Sequence, residues 1–342
     1  MIPVWQQFLE QQGARIANGS VVDFGEPLHE LAGAQTGTVM ADLSQLGLLA
    51  YRGEDTATFL QSQFTNDVRG LGQDGAQWNG YCSAKGRLLG NFLMWRDGAD
   101  YCLQMSGDIS ASLLKRLSMF VLRAKVQGRD ASAETVRLVI AGPQAPDAVT
   151  EAMGAIPQHP MQTLSGNQGM VVRVGGDKFV LSLDPHHAPS VWQTLKPLAR
   201  PVGSAVWDWM RLANGIPMIV AATQDQFVPQ MVNLEALGGV SFQKGCYPGQ
   251  EIVARSQYLG KLKRRMLLAH LDAGNPAPGD ALYSDDLPGQ AVGTVANAAP
   301  APGGGYDLLA VVQTESAAAH PVHWQEQDGP VLIFRPLPYT LS

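Results

Sequence analysis

Hydrophobic and polar positions alternate along this chain with two periods, and the switches between them outline its elements. LGLLAY (46–51) is a short apolar run between polar residues, which predicts a strand. GEDTATFLQSQF follows, with Phe59, Leu60 and Phe64 on one side and Asp55 or Thr56 at the cap position, which predicts a helix. Strands are expected at 78–83, at 88–96 and, after an Asp97-Gly98 turn, at 101–105. GDISASLLKRLSMFVLRAKV then puts Ile109, Leu113, Leu114, Leu117, Phe120 and Val121 on one helical face, with Asp108 as the cap.

A second stretch repeats this order: strand 136–141, helix 145–153, a hairpin of 169–174 and 178–183 across Gly175-Gly176-Asp177, and helix 189–199. Two β-α-β-β-α units in succession predict paired α+β domains whose sheets carry helices on one side. SAVWDWMRLANG predicts a helix at 204–214, closed by Gly215. Residues 216–260 are irregular and rich in turn residues. From Arg264 onward, RMLLAHL, DALYS, QAVGTVANA, YDLLAVVQT, PVHWQ and VLIFRPL are short strands separated by Gly, Pro and Asp, the pattern of a small antiparallel barrel.

Composition narrows the function classes. A 342-residue chain with 45% hydrophobic and 16% charged residues has the make-up of a soluble globular protein of two or three domains. The net charge of -6 predicts no general attraction to nucleic acid. Lys261, Lys263, Arg264 and Arg265 form one basic cluster, read either as a solvated strand start or as a site for an anionic ligand tail or partner. MIPVWQQFLEQQ has neither the charged nor the apolar region of a secretory signal, and no apolar run approaches the ~18 residues of a membrane span, so a cytoplasmic location is expected. Cys82, Cys102 and Cys246 lie far apart, which argues against a disulfide framework, a zinc site or a cluster held by this chain alone; no bound metal is expected.

KGCYPGQEIVAR (244–255) is the stretch with chemical content. A helix is expected from Gln250 to Gln257, with Pro248-Gly249 as the turn into it and Gly260 after its end. Cys246 then falls near a helix N-terminus, where unpaired N–H groups favour an anion, and Lys244 is two residues away. Two readings stand side by side: a thiolate for nucleophilic, redox or metal-transfer chemistry, and a small residue packed in a tight turn.

The longer stretch FVPQMVNLEALGGVSFQKGCYPGQEIVAR (227–255) resembles the signature of the YgfZ-type folate-binding proteins, agreeing at Lys244, Gly245, Cys246, Tyr247, Gly249, Gln250 and Glu251. Weaker similarity runs through 41–68, 78–96, 205–220 and the terminal PLPYTLS. The resemblance implies the fold of the glycine-cleavage T-protein, an aminomethyltransferase. That means an α+β fold: two intertwined α/β sheet domains of aminomethyltransferase type around a central cavity that holds tetrahydrofolate, plus a C-terminal antiparallel β-barrel. The expected segments are 1–130 and 131–215 for the α+β domains, 216–262 for a cavity-lining connector with the KGCYPGQE motif, and 263–342 for the barrel.

The resemblance also implies an auxiliary role: support of iron–sulfur cluster assembly or repair in client enzymes such as a tRNA methylthiotransferase, without direct nucleic-acid binding. It marks Cys246 and Lys244 as the reactive pair and Trp207, Leu46, Tyr247, Gln250, Glu251 and Arg255 as folate contacts. Trp207 falls where a family tryptophan lines the folate pocket; Leu46 falls where the other one stands. Acids of the transferase pattern are missing at two places. GRLLGNFLM has Gly90 and Asn91 at the paired carboxylates, and Arg211-Leu212-Ala213-Asn214-Gly215 has Ala213 where a glutamate grips the pterin edge. Asn214 and Glu235 are the candidate replacements. Expected function is therefore a folate-binding accessory protein, with a folate-dependent one-carbon enzyme and a scaffold without ligand as the alternatives.

Overall fold

The computed structural model describes residues 1–258 and 262–341. The chain opens with α1 (Pro3–Gln11), β1 (Arg15–Ala17), β2 (Ser20–Asp23), α2 (Pro27–Gly33), β3 (Val39–Asp42) and β4 (Leu46–Arg52). Then come α3 (Thr56–Gln61), β5 (Ala76–Cys82), β6 (Leu88–Asp97), β7 (Asp100–Ser106) and α4 (Gly107–Val121). The middle contains β8 (Gln127–Asp130), β9 (Val136–Ala141), α5 (Ala145–Met153), β10 (Gln162–Gly166), β11 (Gly169–Gly175) and β12 (Lys178–Leu183). It ends with α6 (Ala188–Leu195), β13 (Arg200–Val202) and α7 (Ser204–Ala213). After the connector and α8 (Gln250–Tyr258) come β14 (Arg264–Leu271), β15 (Ala281–Ser284), β16 (Gly293–Pro300), β17 (Tyr306–Gln313), α9 (Thr314–Ala319), β18 (Val322–Trp324) and β19 (Ile333–Arg335).

Two compact units share this chain. The first comprises 1–56, 70–77 and 93–207; the second comprises 57–69, 78–92 and 208–342. In the first unit a six-stranded sheet has the order β10-β11-β12-β9-β3-β13, antiparallel except for the β3–β13 pair. Strand alternation puts Val136, Leu138 and Ile140 of β9 and Phe179, Leu181 and Leu183 of β12 on one face. Trp5 and Leu9 of α1, Val149 of α5 and Val191, Trp192 and Leu195 of α6 cover that face. α1 is thus a core-packed helix, and Trp5 Nε1 donates to the buried Asp42 carboxylate at 2.8 Å.

The other mixed-fold sheet has the order β5-β6-β7-β4-β8. α4 lies close over β4: a Cβ on Gly47 would meet the Ser110 Cβ at 2.5 Å. Three local expectations are corrected here. Ser106, not Asp108, takes the cap position of α4, and its hydroxyl donates to the Asp108 carboxylate at 2.6 Å. Only Ile109, Ser110, Leu113 and Leu117 of this helix are buried, while Phe120 is exposed, so the apolar face that reaches the core is narrower than the sequence pattern. The helix expected at 189–199 spans Ala188–Leu195.

In the second unit the C-terminal strands form a curled antiparallel half-barrel with the order β18-β15-β16-β17-β14-β19. Both faces are apolar. Leu271, Leu282, Val295, Leu308, Ala310 and Val312 form one core, while Met266, Ala296, Leu309 and Val311 pack with Leu212, Phe227, Val232 and Leu234 in another. Alternation puts the adjacent Val295 and Ala296 in opposite cores, and a bulge between Val295 and Asn297 shifts the register so that Val295 and Ala298 face the same one. The basic cluster does not form one solvated face. Arg265 turns inward to pair with Glu235, both nearly buried, while Lys263 stays exposed. Lys261 and Gly260 lie outside the described residues.

Candidate functional site

Parts of the segments that carry the family resemblance, 57–68, 78–92 and 227–255, meet in the second unit. Residues 61–66 lie against 238–244: Thr65 Oγ1 donates to the Gly239 carbonyl at 2.6 Å, and Ser241 N–H donates to the Thr65 carbonyl at 2.9 Å. Asn66 Nδ2 donates to the carbonyls of Gly238 (2.7 Å) and Trp78 (2.9 Å).

Lys244 completes this latch. Its ammonium donates to the carbonyls of Gln61 (2.5 Å), Phe64 (2.5 Å) and Asn66 (3.0 Å), so all three of its N–H groups have backbone partners. Gln61 ends α3, where the last carbonyls of a helix lack intrahelical partners and favour a cation. Burial lowers the Lys244 pKa to about 8, with Asp67 pulling the other way. The same nitrogen lies 5.2 Å from the centre of the buried Tyr247 ring. Burial in turn raises the Tyr247 phenol, with Cys82 adding to the shift.

Gly249 explains the turn. At φ +77° it occupies the left-handed region, and a Cβ there would lie 2.4 Å from Gly86 Cα and 2.5 Å from the Ser83 carbonyl. The cysteine loop therefore rests on the turn between β5 and β6. α8 follows as expected, and the Gln250 N–H is taken by the Tyr247 carbonyl at 3.2 Å. Cys246 itself is exposed, between the buried anchors Lys244 and Tyr247. Cys82 and Cys102 are buried, and desolvation pushes both thiols up, Cys102 to about 12. The arrangement presents a single accessible thiol on a loop fixed at both sides.

The remaining sequence candidates fall in different settings. Glu251 and Arg255 are exposed and pair with each other across one turn of α8 at 3.2 Å. Gln250 is half-buried at the start of α8. Leu46 begins β4 in the first unit and is buried. Trp207, on α7, is 8% exposed, and its indole N–H is buried with no hydrogen-bond partner among the described residues. A donor in that state has capacity left for a ligand.

The missing acids have structural successors. Asn91 Nδ2 donates to the Pro217 carbonyl (2.8 Å), and its Oδ1 accepts from Ile219 N–H (2.7 Å). Asn297, at the β16 bulge, accepts from Met218 N–H and donates to the Met218 carbonyl, both at 2.8 Å. Two amides thus hold segment 217–219, a task that needs a donor and an acceptor on one side chain. Sequence reasoning missed Asn297; a lone asparagine within the apolar run QAVGTVANA was its only signal. Both proposed replacements have partners of their own. Asn214 donates back to the Met210 carbonyl of its own helix at 2.7 Å, and Glu235 is committed to Arg265. Asp208, next to Trp207, is a carboxylate that sequence reasoning passed over. Burial raises its pKa against the pull of Arg211, 3.9 Å away, although 39% of the side chain is accessible and solvent screens part of that cost.

Among the described residues no helix is long and apolar enough to cross a membrane, and no three His, Cys, Asp or Glu side chains gather as metal ligands.

Comparison with known proteins agrees with this architecture. The GCVT N-terminal domain family matches residues 23–243. The crystal structure of glycine cleavage system aminomethyltransferase T from Bartonella henselae superposes with a TM-score of 0.77, covering 99% of this chain and 97% of that one at 18% identity. The fold is therefore that of the aminomethyltransferase T-proteins. Within that class the chain belongs to the YgfZ family. The tRNA-modifying protein YgfZ of Colwellia psychrerythraea is 32% identical over 73% of this chain and 77% of the relative. That of Yersinia pestis is 29% identical over 89% and 93%.

Proposed function

We propose that this protein is a folate-binding accessory factor that supports iron–sulfur enzymes, among them tRNA-modifying ones, through the exposed thiol of Cys246. The carrying observation is the cysteine loop. Lys244, Tyr247 and Gly249 serve to fix the backbone, and the side chain left exposed between the buried Lys244 and Tyr247 is a thiol. Such a group can attack an electrophilic sulfur or carbon centre or hand a soft metal to a client. The clients are enzymes whose clusters are assembled or repaired, and the names of the relatives favour those acting on tRNA.

The fit to a folate is partial. Trp207, with its unpartnered indole N–H, and the apolar Leu46 suit the face of a pterin ring. Asp208 is the carboxylate of α7, its recorded partner among the described residues being Arg211 at 3.9 Å, and it can meet ring N–H donors where Ala213 cannot. A bound tetrahydrofolate would supply one-carbon chemistry or a reduced ring. The transferase reading is disfavoured because Gly90 stands where the ordering acid would be, and Asn91, at the second of the paired positions, is bonded on both sides of its amide.

Two measurements test the reading. Calorimetry with tetrahydrofolate should give saturable binding that weakens in Trp207→Ala; no heat at millimolar ligand would leave only the scaffold alternative. In cells lacking the protein, wild type should restore iron–sulfur enzyme activity and tRNA methylthiolation, whereas Cys246→Ser should not. Full rescue by the serine variant would overturn the thiol's role.

A further inference from the structure

A concave site lies in the second unit, beside the β5–β6 turn on which the cysteine loop rests. Its floor is Phe227, Met231 and Val311, and its rim is Arg87, Arg264, Gln226 and Thr294. The volume is about 180 Å³, room for about six waters at ~30 Å³ each. Thr294 and Val311 face each other across β16 and β17, Arg264 opens the neighbouring β14, and Arg87 comes from the turn ahead of β6.

The two guanidiniums are weakly engaged. Arg87 donates to the backbone carbonyls of Asp225 (3.4 Å) and Gln226 (3.2 Å), and Arg264 donates to that of Ala291 (3.3 Å). Among the described residues neither is recorded in an ion pair, although the chain is acidic overall. Asp225, beside Arg87, turns its carboxylate to the Ser83 hydroxyl at 2.7 Å. Two positive charges thus border one small cavity whose base belongs to the apolar core.

We propose that this cavity binds a small organic phosphate. The doubly charged head lies between Arg87 and Arg264, and the apolar stem rests on Phe227, Met231 and Val311. Planar guanidiniums match phosphate oxygens in pairs, and a dianion neutralises both where a single carboxylate would neutralise one. The Thr294 hydroxyl and the Gln226 amide supply neutral partners for the remaining oxygens. The site stands independently of any folate and uses none of the residues that hold the cysteine loop.

Titration calorimetry of the full chain at low ionic strength, with phenyl phosphate as the probe, tests this. Saturable binding is expected that weakens with added salt, by at least about tenfold in Arg87→Gln and in Arg264→Gln, and less in Arg264→Lys, which keeps the charge. Arg87 is exposed on a turn, so its variant keeps the fold. Inorganic phosphate, benzoate and phenol should each bind more weakly than the probe. No saturable binding, equal binding by the arginine variants, or equal binding by any of those three ligands would overturn the assignment.

Discussion

A Cβ placed on Gly249 would sit 2.4 Å from the Cα of Gly86, so the cysteine-bearing loop and the turn between β5 and β6 touch backbone to backbone. Gly86 is left-handed as well, and its own Cβ would meet Ile252 of α8 at 2.8 Å. Gly249→Ala should therefore cost about 2–4 kcal/mol, from a strained φ and a contact that only the backbone can relieve. Gly245→Ala is the control, since a Cβ there meets nothing within 4 Å. Chemical denaturation of the two variants checks the pair; equal stability would refute the close approach.

Lys244→Met should destabilise by about 2–4 kcal/mol at pH 7, because three carbonyls lose their donor. The effect has a pH signature. The folded-state pKa of about 8 lies below the ordinary 10.5, so between these values the unfolded chain holds more of the proton. Lys244's contribution to stability then rises with pH across that window. The stability of wild type minus that of Lys244→Met should grow from pH 8 to 10.5; a flat or falling difference would contradict the burial of this ammonium.

Asn91→Asp would restore an acid at the transferase position, yet it should lower stability by about 2–4 kcal/mol near neutral pH. A carboxylate would face the Pro217 carbonyl, which now accepts from the amide. Burial raises such a carboxyl's pKa, so the penalty is present above that pKa and shrinks as acid restores the O–H donor. Thermal melts at pH 5 and pH 7 test the sign, and no gain of tetrahydrofolate-dependent ammonia release is expected.

Trp207→Ala should weaken tetrahydrofolate binding by about 1–3 kcal/mol if the indole stacks on the ring. Ligand should also quench the tryptophan emission of wild type, and that quenching should fall in the variant. Unchanged affinity with the fold intact removes Trp207 from the site.

Native-state alkylation should label Cys246 at least about tenfold faster than Cys82 or Cys102 at pH 7.5, since only the first thiol is exposed and the other two are buried with raised pKa. Mass-resolved labelling reads all three at once. Comparable rates would mean that the loop shields its thiol.

The sequence by itself determined the elements and the kind of fold. Periodicity and turn residues placed α5 at Ala145–Met153, the β11–β12 hairpin, α8 and the six strands from Arg264 onward, because both are local properties of a chain. The KGCYPGQE motif likewise identified the loop that carries the exposed thiol. What each motif residue does was decided only in three dimensions. Lys244 bonds to carbonyls 178–183 residues earlier, Asn91 to a segment 126–128 residues later, and Arg265 turns inward to Glu235. In sequence Lys244 read as a charge for Cys246 and Arg265 as part of a solvated cluster. A side chain's partners depend on which distant backbone groups lack their own hydrogen bonds after folding, and no local pattern encodes that.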